Sequence, residues 1–262
     1  MHTVQSADGT TIAYDRFGEG EPLILIGGSF SERAHPAMSQ LAQELSPCFT
    51  VFNYDRRGRG DSGDAAEYAV EREVEDLAAL VAEAGGSAKV FGLSAGGALA
   101  LKAVVSGVEG ITKVALYDPP FVVGEDGPHP PAGFTRQLRE LTDAGRRGDA
   151  VELFMTKGMG APAEGVAQMR FAPFWQGLEA LAHTLPYDAT ILGDDLALPS
   201  GLDAVKVPAF VVHGGNAAPW LHASARALAE ALPEARHHAL PGQDIAVDPA
   251  VLAPELKSFY LG

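Results

Sequence analysis

The chain has 262 residues, 47% of them hydrophobic, which is enough to bury a full core and reads as one domain, or one domain with an inserted lid. A formal charge of -15 argues against nucleic acid and anionic membrane as partners, since both call for a basic face, and leaves a small neutral or apolar molecule. The single Cys48 makes no internal disulfide, and the opening MHTVQSADGTTIAYD lacks a charged start followed by an apolar run, so the expected location is the cytoplasm.

HTVQS and TIAYDRF, separated by ADGT, read as an antiparallel hairpin at a sheet edge. PLILIGG, FTVFNYD, AKVFGLS, KVALYDP and PAFVVHGG follow as short apolar strands bounded by glycine, proline or aspartate. In VEREVEDLAALVAEAGG, Val70, Val74, Leu77 and Val81 recur at helical spacing. The longest apolar stretch, GGALALKAVVSGV, is interrupted by Lys102 and falls short of the ~20 residues that span a bilayer. From Phe121 to about Lys206 no strand pattern appears, while FTRQLRELTDAG and DAVELFMTKG look helical. The expectation is a helical lid over 121–206, inserted into a core made of 1–120 and 207–262. Met155, Met159, Met169, Phe171, Phe174 and Trp175 suit either the lid's own core or the apolar wall of a substrate pocket. Beyond it, Leu221, Ala225, Leu228 and Leu232 are again helical in spacing, ARHHALPG reads as the last strand and PAVLAPELKSFYL as the closing helix. Aliphatic strands joined by helical crossovers make this an α/β chain, with a mostly parallel sheet covered on both faces.

At VFGLSAGGALA a strand runs directly into a helix through Gly92-Leu93-Ser94-Ala95-Gly96, the G-x-S-x-G pattern of a nucleophile elbow in its required setting. A serine on so sharp a turn needs neighbours without side chains, which Gly92, Gly96 and Gly97 supply. With this motif the chain resembles the α/β-hydrolase superfamily over nearly its whole length. YDRRGRGDSG is similar to the family's loop after the fourth strand, carried by Asp55, Arg57, Gly58, Gly60 and Ser62. The resemblance implies oxyanion donors at the N–H groups of Ser29, in IGGSF after the third strand, and of Ala95. It also implies an acid, a base and a substrate wall, for which Phe30, Phe121, Trp220 and Ile245 are the candidates.

Two positions depart from the family pattern. The loop after the seventh strand, HGGNAAPW, offers Asn216, Ala217 and Ala218 where most relatives carry the acid. A minority, the haloalkane dehalogenases among them, place it after the sixth strand, and LYDPPF puts Asp118 there; its other reading is a turn aspartate bonding nearby backbone. The family's histidine follows the last strand in a G-x-x-H turn, and from Gly242 that position is Ile245. An isoleucine accepts no proton, so Ser94 stays a neutral, weak nucleophile. His213 and His183 are the foremost substitutes, His237 and His238 alternate faces within the last strand, and His2 and His129 are remote by topology. No cofactor is called for, and no metal, since no His, Asp and Glu cluster has ligand spacing.

Three functions stay open. One is chemistry other than ester hydrolysis on a small, largely apolar molecule: a cyclisation, addition, elimination or carbon–carbon bond formation in natural-product biosynthesis, with Asp118 as general base. The second is a serine hydrolase with a relocated or degraded triad. The third is a binding protein, by analogy with gibberellin receptors, hydrolase-like proteins whose histidine became aliphatic.

Overall fold

The computed structural model describes residues 1–262, and strands form where the short apolar runs fall. They are β1 (His2–Gln5), β2 (Thr11–Phe17), β3 (Glu21–Ile26), β4 (Phe49–Tyr54), β5 (Ala88–Leu93), β6 (Ile111–Tyr117), β7 (Ala209–Gly214) and β8 (Ala235–Leu240). One sheet holds them in the order β1-β2-β4-β3-β5-β6-β7-β8. β1 pairs antiparallel with β2, and β2 with β4; every other neighbour is parallel. The N-terminal hairpin thus forms one edge, as its sequence indicates.

The crossovers are α1 (Pro36–Leu45), α2 (Val70–Glu83) and α3 (Ala95–Val105). Between β6 and β7 lie α4 (Phe134–Asp143), α5 (Arg147–Leu153), α6 (Ala163–Met169), α7 (Trp175–Leu181) and α8 (Leu185–Leu192). α9 (Pro219–Ala231) joins β7 to β8, and α10 (Pro249–Leu261) closes the chain. No helix is long and apolar enough to cross a membrane. Successive strand residues point to opposite faces, so each central strand serves two cores. Leu23, Leu25 and Phe91 pack with α1 and α10, while Ile24, Ile26 and Val90 pack with α2, α3 and α9.

The helices between β6 and β7 have a core of their own around Phe134, Val151, Phe154 and Trp175. Met155 and Met159 pack against it. Phe171 is 92% exposed and Phe174 56%, with Met169 also exposed. For these three the two sequence readings are both corrected: they lie at the end of α6 and in the short turn before α7, which faces water instead of a core or a pocket.

Buried ion pairs help fasten these helices to the sheet, beside Ile191 and Leu192 of α8, which join its core. Arg56, directly after the β4 loop begins, donates two 2.7 Å bonds to Glu73 of α2 and one of 2.7 Å to Asp188 of α8. Arg59 donates to both oxygens of Asp188 at 2.9 Å and to the Gly28 carbonyl at 2.6 Å. All four ionic side chains are buried, two cations against two anions. Burial alone would raise the Asp188 carboxyl; Arg59 and Arg56 outweigh it and hold it below its ordinary value. Removing one partner from such a set strands a buried charge. Asp188→Ala should therefore destabilise by about 3–5 kcal/mol. Asp149→Ala, which breaks a part-exposed pairing with Arg146 and Arg170, should stay within about 1 kcal/mol. Urea unfolding of the two variants beside the parent measures both.

Candidate active site

Three loops at the carboxyl ends of β3, β5 and β6 carry non-glycine residues with positive φ: Phe30 at 58°, Ser94 at 51° and Asp118 at 45°. Such strain persists only where the surroundings enforce it. At Ser94 they do so by close approach: a Cβ on Gly92 would fall 2.5 Å from the Gly97 Cα, and one on Gly96 would collide with the Ile26 carbonyl. Ser94 is held by its own N–H, which donates to the Tyr117 carbonyl at 2.8 Å. The turn after β3 presses on this elbow, since a Cβ on Gly28 would meet the Leu93 carbonyl at 2.9 Å and the Ser94 Cβ at 3.4 Å. Arg59 fixes the other side of that turn through the Gly28 and Ser31 carbonyls.

Asp118 directly follows β6 and is fully buried. One carboxylate oxygen accepts the Gly214 N–H at 3.1 Å, and the other is buried without a partner. Burial pushes its pKa up to about 6, against the Gly214 bond and with help from the charge of Asp244. The turn after β8 is laid across the end of β7: Tyr117 donates to the Asp244 carbonyl at 2.7 Å, and the Asn216 N–H to the Gln243 carbonyl at 2.8 Å. A Cβ on Gly214 would sit 2.8 Å from the Asp244 Cα. Backbone contacts thus bring residues 243–245 beside Ser94 whatever side chain stands at 245.

A cavity of about 290 Å³ opens there. Ser29, Ser94, Asn216 and Asp244 are its polar lining; Phe154, Met159, Leu192, Trp220 and Ile245 are prominent in its apolar wall. Phe154 and Gly158 belong to a π-helical turn that continues α5, a wide turn that re-aims side chains. No histidine is among the lining residues. His213 shares a 2.9 Å hydrogen bond with His237, and its pKa falls to about 4 through burial and the neighbouring imidazoles. His183 contacts the Gly58 carbonyl at 2.7 Å, and His222 the Gly214 carbonyl at 3.0 Å. His238 lies 4.0 Å from Glu255, and His2 stacks on Tyr14. No group of His, Cys, Asp and Glu side chains is arranged to hold a metal.

Ser29, Ser94, Trp220 and Ile245 therefore meet in one cavity, and Ala95 stands at the first turn of α3 with its side chain buried. Three expectations need correction. Phe121 is buried in the sheet core, its N–H bonded to the Ser224 hydroxyl at 3.1 Å, so it forms no part of the wall. Phe30 packs edge-on against Phe154, 5.8 Å between centroids, and supports that wall from behind. Asp118 is likewise absent from the lining, so it cannot touch a ligand's proton directly as a general base must. Sequence reasoning missed Asp244 and Phe154; the signal for Asp244 was its place next to Ile245 in the same turn.

A family model described as the alpha/beta hydrolase family matches residues 23–255. The chain belongs to the α/β hydrolase family. An α/β hydrolase from Sphaerobacter thermophilus DSM 20745 has a structure similar to it, with a TM-score of 0.92 at 47% identity, covering 99% of this chain and 100% of that one. N-formylmaleamate deformylase of Pseudomonas putida is 34% identical over 121 residues, a stretch that spans 44% of either protein. An esterase from Rhodococcus sp. ECU1013 shares the fold, with a TM-score of 0.72 at 19% identity over 100% of this chain and 98% of that one.

The raised pKa of Asp118 has a sign that can be tested. Between its ordinary value of 3.8 and about 6 the folded state holds the proton that the unfolded chain has lost, so stability from this group falls as pH rises through that window. Above it the penalty is of order 3 kcal/mol. Asp118→Asn keeps the acceptor for Gly214 and removes the charge. The variant should melt higher than the parent at pH 7.5, with the difference shrinking toward pH 4 in paired thermal scans.

Proposed function

We propose that this α/β hydrolase acts on a small, largely apolar carbonyl compound, held beneath α4–α8 as a lid, without acylating Ser94. The observation that carries the reading is Ile245 in the wall of the cavity that contains Ser94, with no imidazole in that lining. With no imidazole to take the serine proton, the hydroxyl remains neutral. The N–H groups of Ser29 and Ala95 are placed by strained, clamped backbone and serve as donors to a carbonyl oxygen, where they stabilise charge developing on an enolate or alkoxide. That chemistry suits an addition, elimination, cyclisation or carbon–carbon bond-forming step. Asp118, behind the wall, acts only through what stands at position 245. The deformylase and esterase give no support to a setting in natural-product biosynthesis. They do favour hydrolysis as the second reading, but His213 and His183, its candidate bases, are engaged elsewhere.

Fluorophosphonate labelling of Ser94 and turnover of p-nitrophenyl acetate test the reading. Loss of the histidine from a serine triad lowers turnover by about 10⁶, so both signals should sit near background. Rapid stoichiometric labelling of the unmodified protein would restore the hydrolytic reading.

Ile245→His tests the part assigned to Asp118. An imidazole there would share the cavity with Ser94, and the unpartnered Asp118 oxygen is our candidate to fix its tautomer and support an imidazolium. Esterase activity should rise at least about 100-fold over the parent, a modest share of what an acid–base group contributes. The gain should vanish when Asp118→Asn is added. A folded single variant with no gain would show Asp118 to be a turn residue only.

A further inference from the structure

Of the residues lining the Ser94 cavity, Asp244 alone is ionisable as a carboxylate, and none is a lysine, arginine or histidine. Asp244 is solvent-exposed and so stands at the cavity's rim; its Oδ1 accepts the Ala246 N–H at 2.8 Å, and Oδ2 makes no bond within the protein. Behind the same wall lies the buried Asp118, whose second oxygen is also without a partner. The negative charge of Asp244 is felt at both Asp118 and Tyr117. No cation lines the cavity beside it. Arg56 and Arg59 are committed to Glu73 and Asp188, and His213, buried against His237 and His222, is held neutral. Trp220 adds an aromatic ring to the wall, a surface that attracts cations. The chain as a whole carries -15. The cavity thus has one carboxylate at its rim and no cation in its lining, in a chain of net negative charge, while the carbonyl reading supplies donors for an oxygen.

We infer that the ligand of this cavity is a carbonyl compound bearing a protonated amine, selected by Asp244, and that carboxylates are refused. The inference rests on the carbonyl-binding reading of the same site and adds to it the charge of the ligand. A carboxylate brought in beside Asp244 finds a like charge and no cation, whereas an ammonium finds a free carboxylate oxygen and an aromatic face.

Three probes on one aryl-ketone scaffold separate the possibilities: 4-(aminomethyl)acetophenone, 4-(hydroxymethyl)acetophenone and 4-acetylbenzoate, titrated calorimetrically at pH 7.5 and low salt. The amine should bind at least about 10-fold tighter than the carboxylate, as expected for one nearby charge partly screened by solvent, with the alcohol between them. Asp244→Asn keeps the acceptor for Ala246 and removes the charge, so the ratio of amine to carboxylate should fall to about two-fold or less. If the carboxylate binds as well as the amine, or if the ratio survives Asp244→Asn, the inference is wrong while the carbonyl reading stands. If none of the three binds at millimolar concentration, the carbonyl reading fails and takes the inference with it.

Discussion

The pairing of Arg56 and Arg59 with Asp188 is the constraint on which the rest of the site depends. Two guanidinium groups buried together would repel, and only the anions of α2 and α8 make their burial tolerable. Because Arg59 also grips the Gly28 carbonyl, the charge that anchors α8 is the charge that fixes the turn behind Ser29. Ile191 and Leu192 also seat α8 in the sheet's core, but they make no contact with the turn at Gly28 comparable to that of Arg59. The ionic anchor couples the floor of the cavity to its roof, and the hydrophobic cores above and below can then differ without disturbing the geometry between them.

A second constraint explains how the fold accommodates an isoleucine at 245. The turn after β8 is positioned by main-chain groups: the Asp244 and Gln243 carbonyls accept from Tyr117 and from Asn216, and Gly214 admits the Asp244 backbone at contact distance. None of these contacts involves the side chain at 245. The arrangement of strand ends therefore does not depend on the side chain at 245, so the chemistry of such a site can differ without a change of fold.

The sheet, its antiparallel edge and the elbow were legible in the sequence because each is dictated locally. Alternating apolar residues fix a strand's faces, and Gly92 and Gly96 are required where backbone passes within contact distance of backbone. The positions of Asp118 and Ile245 at strand ends followed from the same topology. What was not legible depends on distant partners or on the direction of a side chain within a loop. Nothing local to Asp188 announces Arg59, 129 residues away. Phe121 and Trp220 both flank strand ends and look alike in sequence, yet one turns into the core and the other into the cavity. Phe171 and Phe174 suited either a lid core or a pocket wall by residue type, but fall in a turn that faces water.

The electrostatics of the site add a last step. A buried carboxylate with one oxygen unpartnered is a net burden on the fold at neutral pH, and an amide or apolar residue at 118 would remove it. In a serine triad the burden is offset by an adjacent imidazole, which carries positive charge when the reaction needs it. Ile245 offers no such charge, and no cation lines the cavity beside Asp244. Negative potential without a resident counter-charge is what a site requires if the positive charge arrives with the ligand. Binding would then relieve only the lesser part of the cost at Asp118, the repulsion from Asp244, and leave the larger part, from burial, unchanged.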